Sequence, residues 1–251
     1  MSGTAKRLRI IAGPNGSGKS SVFKELLKEG HPNFGIFVNA DDIESTLKLK
    51  GILSFKDYGI TVSEEEFQES FSRAVRTRNT QVEEGDFDVN DNFLVYHNKE
   101  FIDSYFAGIV AEFVRDKMLS SRISPITIET VMSHQSKLDV MDYARSLGYR
   151  VYLYYITTMD PRINLERVKI RTVKGGHDVP EEKIKTRYYR SLDNLYNAVL
   201  KSDRAFLIDN SGKKHELIAE YDKSINTLNF ASNYYPEWVQ KYFIDKNSSA
   251  E

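Results

Sequence analysis

Apolar and polar residues along this chain follow two alternating periods, and each change of period marks an element. "LRIIA" (Leu8 to Ala12) is an unbroken apolar run, the pattern of a strand buried on both faces. In "KSSVFKELLKEG" behind it, Val22, Phe23, Leu26 and Leu27 share a helical face before Gly30 ends the helix. "IFV" predicts a second strand, and a helix begins at Asp41. "PITIE" (Pro125 to Glu129) predicts a third strand, with a helix from Ser136 to Gly148 after it, and "RVYLYYI" (Arg150 to Ile156) predicts a fourth. Asp160-Pro161 supplies an N-cap and a first-turn proline for a helix to Lys174, stopped by Gly175-Gly176. Asp178 to Glu181 reads as a capping box for the next helix, whose apolar face is Ile184, Tyr188, Leu192, Leu195, Tyr196 and Val199. "AFLID" predicts a fifth strand that closes the series at Asp209. Strands alternating with helices predict an α/β fold, a parallel sheet with helices on both faces.

About 85 residues separate the second and third strands, more than one crossover helix requires, and this marks an insertion. Ser63 and Glu66 form a capping box opening a charged helix, "SEEEFQESFSRAVRTRNTQVEEG", and "KEFIDSYFAGIVAEFVRDKMLSS" predicts a long amphipathic helix. "DFDVNDNFLVYHN" between them follows neither period. The aromatic-rich "NYYPEWVQKYFI" predicts a segment packed against the body. The whole, 1–251, is expected to be one domain with a helical insertion at about 50–96 and a lid region at about 162–190.

Composition narrows the function. The 35 Lys and Arg residues balance 36 Asp and Glu, which gives no electrostatic reason to expect nucleic acid as the main ligand. With no cysteine, thiolate nucleophiles and Cys-ligated zinc are excluded. No apolar stretch reaches the length of a membrane span, so no membrane partner and a cytoplasmic location are expected.

"GPNGSGKS" fits G-x-x-x-x-G-K-[ST] with Gly13, Gly18, Lys19 and Ser20 at the fixed positions, and it lies between a predicted strand and a predicted helix. Glycines there let backbone N–H groups converge on one anion, and the next helix adds its positive end. The loop therefore predicts ATP binding through Gly13, Asn15, Gly16, Ser17, Gly18, Lys19, Ser20 and Ser21, with Lys19 on the phosphates and Ser20 as a ligand of Mg²⁺.

Ligands of open α/β sheets sit at the carboxyl ends of strands, where three acidic residues fall: Asp41, Glu129 and Asp209. A hydroxyl acceptor of a phosphoryl group needs a carboxylate to orient it and take its proton. Asp41 is the candidate, although with Glu44 it also matches a helix-capping box, and Asp42 is adjacent. Glu129 with Thr130 suits either substrate hydroxyls or Mg²⁺ held through water. Asp209-Asn210 reads as a turn pair. Cations closing over the γ-phosphate are supplied by Arg167 and Arg171, four apart on one helix, with Lys174 a turn further, and by Arg187, Arg190 and Asn194 on the next. "KGGHDVP" between these helices has glycine hinges suited to a lid, and His177 there is a candidate substrate contact.

Taken in order, "GPNGSGKS", "VNADDI", "IETVMS", "RVKIRTVKGGHDVPEEKIKTRYYRSLDNL" and "LIDNS" resemble the short bacterial zeta-toxin-like P-loop kinases, over most of the chain outside Leu49 to Tyr96. The resemblance implies ATP-dependent phosphorylation of the 3′-hydroxyl of UDP-N-acetylglucosamine and restraint by an antitoxin. It implies Lys19 on the phosphates, Asp41 as the base, Glu129 on the sugar and Arg167 on the γ-phosphate, with the second lid arginine matching Arg171 or Arg187. The toxins carry glutamate, any residue, then threonine after the third strand; here Val131 takes the threonine's place and Thr130 precedes it.

Two other readings compete with a small-molecule kinase. One is a nucleoside or polynucleotide kinase, which a basic groove would favour. The other is a nucleotide-dependent switch or binding protein, but a guanine-reading N-K-x-D and an apolar strand ending in Asp-Glu are both missing from the chain.

Overall fold

The apolar run near the N-terminus forms β1 (Arg7–Ala12), buried from Leu8 onward. The helical pattern after it forms α1 (Lys19–Lys28), which buries Val22 and Phe23. These elements belong to a computed structural model that describes residues 5–28, 30, 33–78, 80–97, 102–174 and 179–248. The architecture is α/β, a mostly parallel sheet with helices on both faces. The chain divides into two compact units, residues 1–34 with 129–251, and residues 35–128.

In residues 35–128, β2 (Ile36–Val38) leads into α2 (Ala40–Lys50). The cap of α2 is Asn39, not Asp41: Asn39 is extended, Ala40 is already helical, and Asn39 Oδ1 accepts the Asp41 N–H at 2.8 Å. Glu44, the other half of the expected capping box, is buried and pairs with Lys48 at 2.5 Å. β3 (Ile52–Ser54) follows, then α3 (Glu64–Val75), where Ser63 Oγ accepts the Glu66 N–H at 3.2 Å as expected. The segment that fitted neither period is a hairpin of β4 (Phe87–Asn90) and β5 (Phe93–Tyr96). Its turn residues Asp91 and Asn92 both have positive φ, 49° and 68°, the geometry that matches the twist of a two-residue hairpin. The insertion is thus not helical alone, because β3, β5 and β4 make a three-stranded antiparallel sheet. Phe55, Phe67, Phe71, Phe87 and Phe106 fill this unit's core. Edge-to-face pairs such as Phe67 with Phe87 at 5.3 Å each add about 0.5–1.5 kcal/mol beyond burial. The long helix appears as α4 (Ser104–Ser120), capped by Asp103 Oδ1 on the Phe106 N–H at 2.7 Å. It leads to β6 (Ile126–Thr130), whose first residues pair in parallel with β2, Ile36 opposite Ile126.

The last two residues of β6, Glu129 and Thr130, return to the first unit. There α5 (Ser136–Ser146) precedes β7 (Arg150–Thr157), and α6 (Pro161–Val173) starts at the expected Asp160 cap, whose Oδ1 accepts the Arg162 N–H at 2.8 Å. Gly175, Gly176 and Asp178 lie outside the described residues, and α7 (Glu181–Asp193) begins directly behind Pro180. The helix expected to run on through Val199 breaks at Asn194, whose amide donates to Met132 O at 3.0 Å, and resumes as α8 (Leu195–Lys201). β8 (Arg204–Asp209) does not close the series: β9 (Glu216–Asp222) and β10 (Thr227–Phe230) extend the sheet antiparallel. In this unit the order is β10-β9-β8-β7-β1. Parallel register sets Ala12 opposite Tyr155 and Thr157 opposite Asp209, so three carboxyl ends finish side by side, where ligands of such sheets bind.

Candidate functional site

The loop that leaves β1 is pressed against its neighbours. Gly13 has φ 143°, and a Cβ there would lie 1.8 Å from Ile156 O at the end of β7. Gly16 has φ 77°, and a Cβ there would lie 2.4 Å from Asn164 O on α6. Any larger residue at either place must displace backbone. Hydrogen bonds hold the loop from three sides: the Gly13 N–H donates to Thr130 O at 3.2 Å, Asn164 Nδ2 to Asn15 O at 2.6 Å, and Asn210 Nδ2 to Ser17 O at 2.8 Å. Asn164 and Asn210 were not among the expected site residues; Asn210 supports the loop from the turn after β8.

Lys19 and Ser20 open α1, whose first-turn N–H groups have no partner within the helix. Lys19 Nζ donates to Pro14 O at 3.2 Å and lies 3.8 Å from Glu129 Oε1. Ser20 Oγ donates to Glu129 Oε2 at 3.1 Å. Lys19, Ser20 and Glu129 therefore meet. Thr130 is occupied in shaping the strand end: its carbonyl takes the Gly13 N–H, and its Oγ1 accepts the Met132 N–H at 3.3 Å. Ser21 lies in the first turn of α1, its N–H on Gly18 O at 3.0 Å.

Arg167 reaches the loop from α6. Its Nη2 donates to Gly212 O at 3.5 Å, and its Nη1 is buried without a hydrogen-bond partner among the described residues. That Nη1 lies 3.9 Å from the place a Cβ would take on Gly18. Arg171 and Lys174 are exposed further along the helix, Arg187 is partly buried on α7, and His177 lies outside the described residues. α6 and α7 share an apolar cluster of Leu165, Val168, Val179 and Ile184, and Lys169 stands 3.7 Å from Glu181 across them. A hydrogen bond from Lys185 first, then the charges of Lys185 and Lys169, hold the Glu181 carboxyl below its ordinary range. Burial holds the Tyr188 phenol protonated well above its ordinary range, where it donates to Thr158 O at 2.6 Å.

Asp209 has a structural part, as its turn position predicts: Oδ1 accepts the Ser211 N–H at 2.8 Å and Oδ2 accepts Trp238 Nε1 at 2.9 Å. The C-terminal aromatic segment packs as expected, with Trp238, Val239 and Phe243 buried. Asp41 belongs to the 35–128 unit, exposed in the first turn of α2.

A family model described as an AAA domain matches residues 8–192. An uncharacterized protein of Haemophilus influenzae is 38% identical over 61 residues, which are 24% of this chain and 44% of that protein. Among solved structures, the AvrRxo1-ORF1:AvrRxo1-ORF2 complex with sulphate ions is 13% identical with a TM-score of 0.54, covering 92% of this chain and 62% of that one. The same complex with ATP is 14% identical with a TM-score of 0.54, covering 91% of this chain and 61% of that one. A chain of the PezAT chromosomal toxin-antitoxin system of Streptococcus pneumoniae is 16% identical with a TM-score of 0.52, covering 97% and 80%. The chain thus spans less than half of the Haemophilus relative and less than two thirds of the AvrRxo1 chain. At these identities the solved structures share the fold. Among the described residues no helix is long and apolar enough to cross a membrane.

Proposed function

Given that the chain belongs to the AAA domain family, we propose that it is an ATP-dependent kinase that transfers the γ-phosphate to a hydroxyl of a small molecule. The observation that carries this reading is the buried, unpartnered Arg167 Nη1 beside Gly18. An unpaired buried N–H costs about 1–3 kcal/mol, and an anion in the loop would remove that cost. The donor set also fits Mg²⁺, since Ser20 offers a hydroxyl and Glu129 a carboxylate, both hard oxygen ligands. Mg²⁺ held there would neutralise phosphate charge as the bond to the leaving oxygen breaks.

The chain's own residues then divide the work. The loop from Gly13 to Ser20 wraps the phosphates, and Lys19 leaves Pro14 O to neutralise them. Arg167 meets the charge on the γ-phosphoryl oxygens, in bound ATP and as it shifts during transfer, the kind of positioning that dominates this chemistry. Glu129, bonded to the Ser20 hydroxyl, would help hold Mg²⁺, directly or through water. Asp41 takes the acceptor's proton, an assignment that rests on the resemblance to zeta toxins. The same resemblance, with the toxin-antitoxin system among the similar structures, motivates a UDP-N-acetylsugar as acceptor and an antitoxin as protein partner.

Incubation with ATP and Mg²⁺, first alone and then with a metabolite library that includes UDP-N-acetylsugars, tests the reading by mass spectrometry. A phosphorylated acceptor is expected. ATP hydrolysis that is indifferent to every acceptor would make the protein a switch.

A further inference from the structure

We infer that Asn164 is a positioning residue that sets the register of α6 on the phosphate loop and thereby places Arg167. The inference rests on the γ-phosphate role proposed above for Arg167. Asn164 is fully buried near the start of α6, at a place where leucine would favour the helix more. Both ends of its amide are committed: Oδ1 accepts the Thr158 hydroxyl and Nδ2 donates to Asn15 O at 2.6 Å. Its own carbonyl touches the loop again, against Gly16. Arg167 lies three residues on, hence on the same helix face, and meets the loop again at Gly18. One helix face thus reads the loop at residues 15, 16 and 18.

A satisfied buried amide has one orientation, and a slip of α6 by one turn, about 5.4 Å, would break both of its bonds. Arg167 is therefore preset against the loop before any nucleotide enters. Asn210, by contrast, supports the loop at Ser17 O from the turn after β8 and has no part in α6.

The test is equilibrium binding of ATP and of ADP, each with Mg²⁺, to the full chain, because a cation on the γ-phosphate shows as preference for ATP over ADP and needs no acceptor. Arg167→Ala is expected to abolish the preference and Asn164→Ala to reduce it roughly tenfold, the size of one lost hydrogen bond. In the double variant Asn164→Ala should cost nothing further, since coupled residues are not additive. Thr158→Val, which removes the hydroxyl that Asn164 Oδ1 accepts while keeping the side chain's shape, should move the ratio the same way if Asn164→Ala does not fold. The inference is overturned if Asn164→Ala weakens ATP and ADP by one common factor, or if its effect persists undiminished without Arg167. A wild-type protein that binds ATP and ADP equally overturns the role of Arg167 itself, and the inference with it.

Discussion

Trp238 donates its indole N–H to Asp209 Oδ2 at 2.9 Å, with both side chains buried. The residue after Asp209 is Asn210, whose amide holds Ser17 O of the phosphate loop. Two bonds therefore link the chain's one tryptophan to the nucleotide cradle.

Intrinsic fluorescence should report ligand binding through that link. Titration with ATP and Mg²⁺ is expected to change Trp238 emission with a single saturation. Trp238→Phe, which leaves Asp209 Oδ2 buried without its donor, should lower stability by about 1–3 kcal/mol in a urea titration. Emission that stays constant while calorimetry detects binding would show that the link transmits nothing.

Lys19→Ala should abolish detectable ATP binding and leave the melting temperature within about 4 °C of wild type, a shift of about 1 kcal/mol for a chain of this size. The lysine's charge serves the phosphates, and its partners Pro14 O and Glu129 lie at the site itself. Calorimetric titration and thermal melting on one preparation check both halves, and retained ATP affinity would reject the cradle assignment.

For Glu129→Gln, the Ser20 hydroxyl keeps an acceptor while the charge disappears. Support of metal-bound groups at one remove is worth 10- to 100-fold in metal affinity, so the Mg²⁺ needed for half-maximal turnover should rise by about that factor. Unchanged Mg²⁺ dependence with a raised KM for the acceptor would instead give Glu129 to the substrate.

Asp41→Asn should slow phosphoryl transfer by about 10²- to 10⁴-fold, the usual loss of a general base, with ATP affinity and melting near wild type. The fold has little at stake, because Asn39 and not Asp41 caps α2. Transfer within a few-fold of wild type would move the base to Asp42 or Glu129.

β1, the phosphate loop and α1 were legible because their signals are local: an apolar run, a fixed glycine and lysine spacing, and a helical stripe. Signals that fit two structures misled. Asp41 and Glu44 match a capping box as well as Asn39 matches a cap, and only the extended backbone at Asn39 decides between them. The hairpin was present as Asp91-Asn92 between an alternating run and an apolar one, but its strands are four residues each and too brief to register. Asn164 and Asn210 could not be found by pattern, since each reaches a loop about 150 or more positions away along the chain. A polar residue sitting where a helix stripe expects an apolar one was the single trace Asn164 left.

The residues that brace the cradle all follow it in the chain: Thr130, Asn164, Asn210 and, through Asp209, Trp238. On a ribosome working at about 5–20 residues per second, roughly 10–45 s pass between synthesis of Gly13 and of Trp238. During that interval the braces emerge one after another, so the phosphate loop has its full set of supports only once Trp238 has been made.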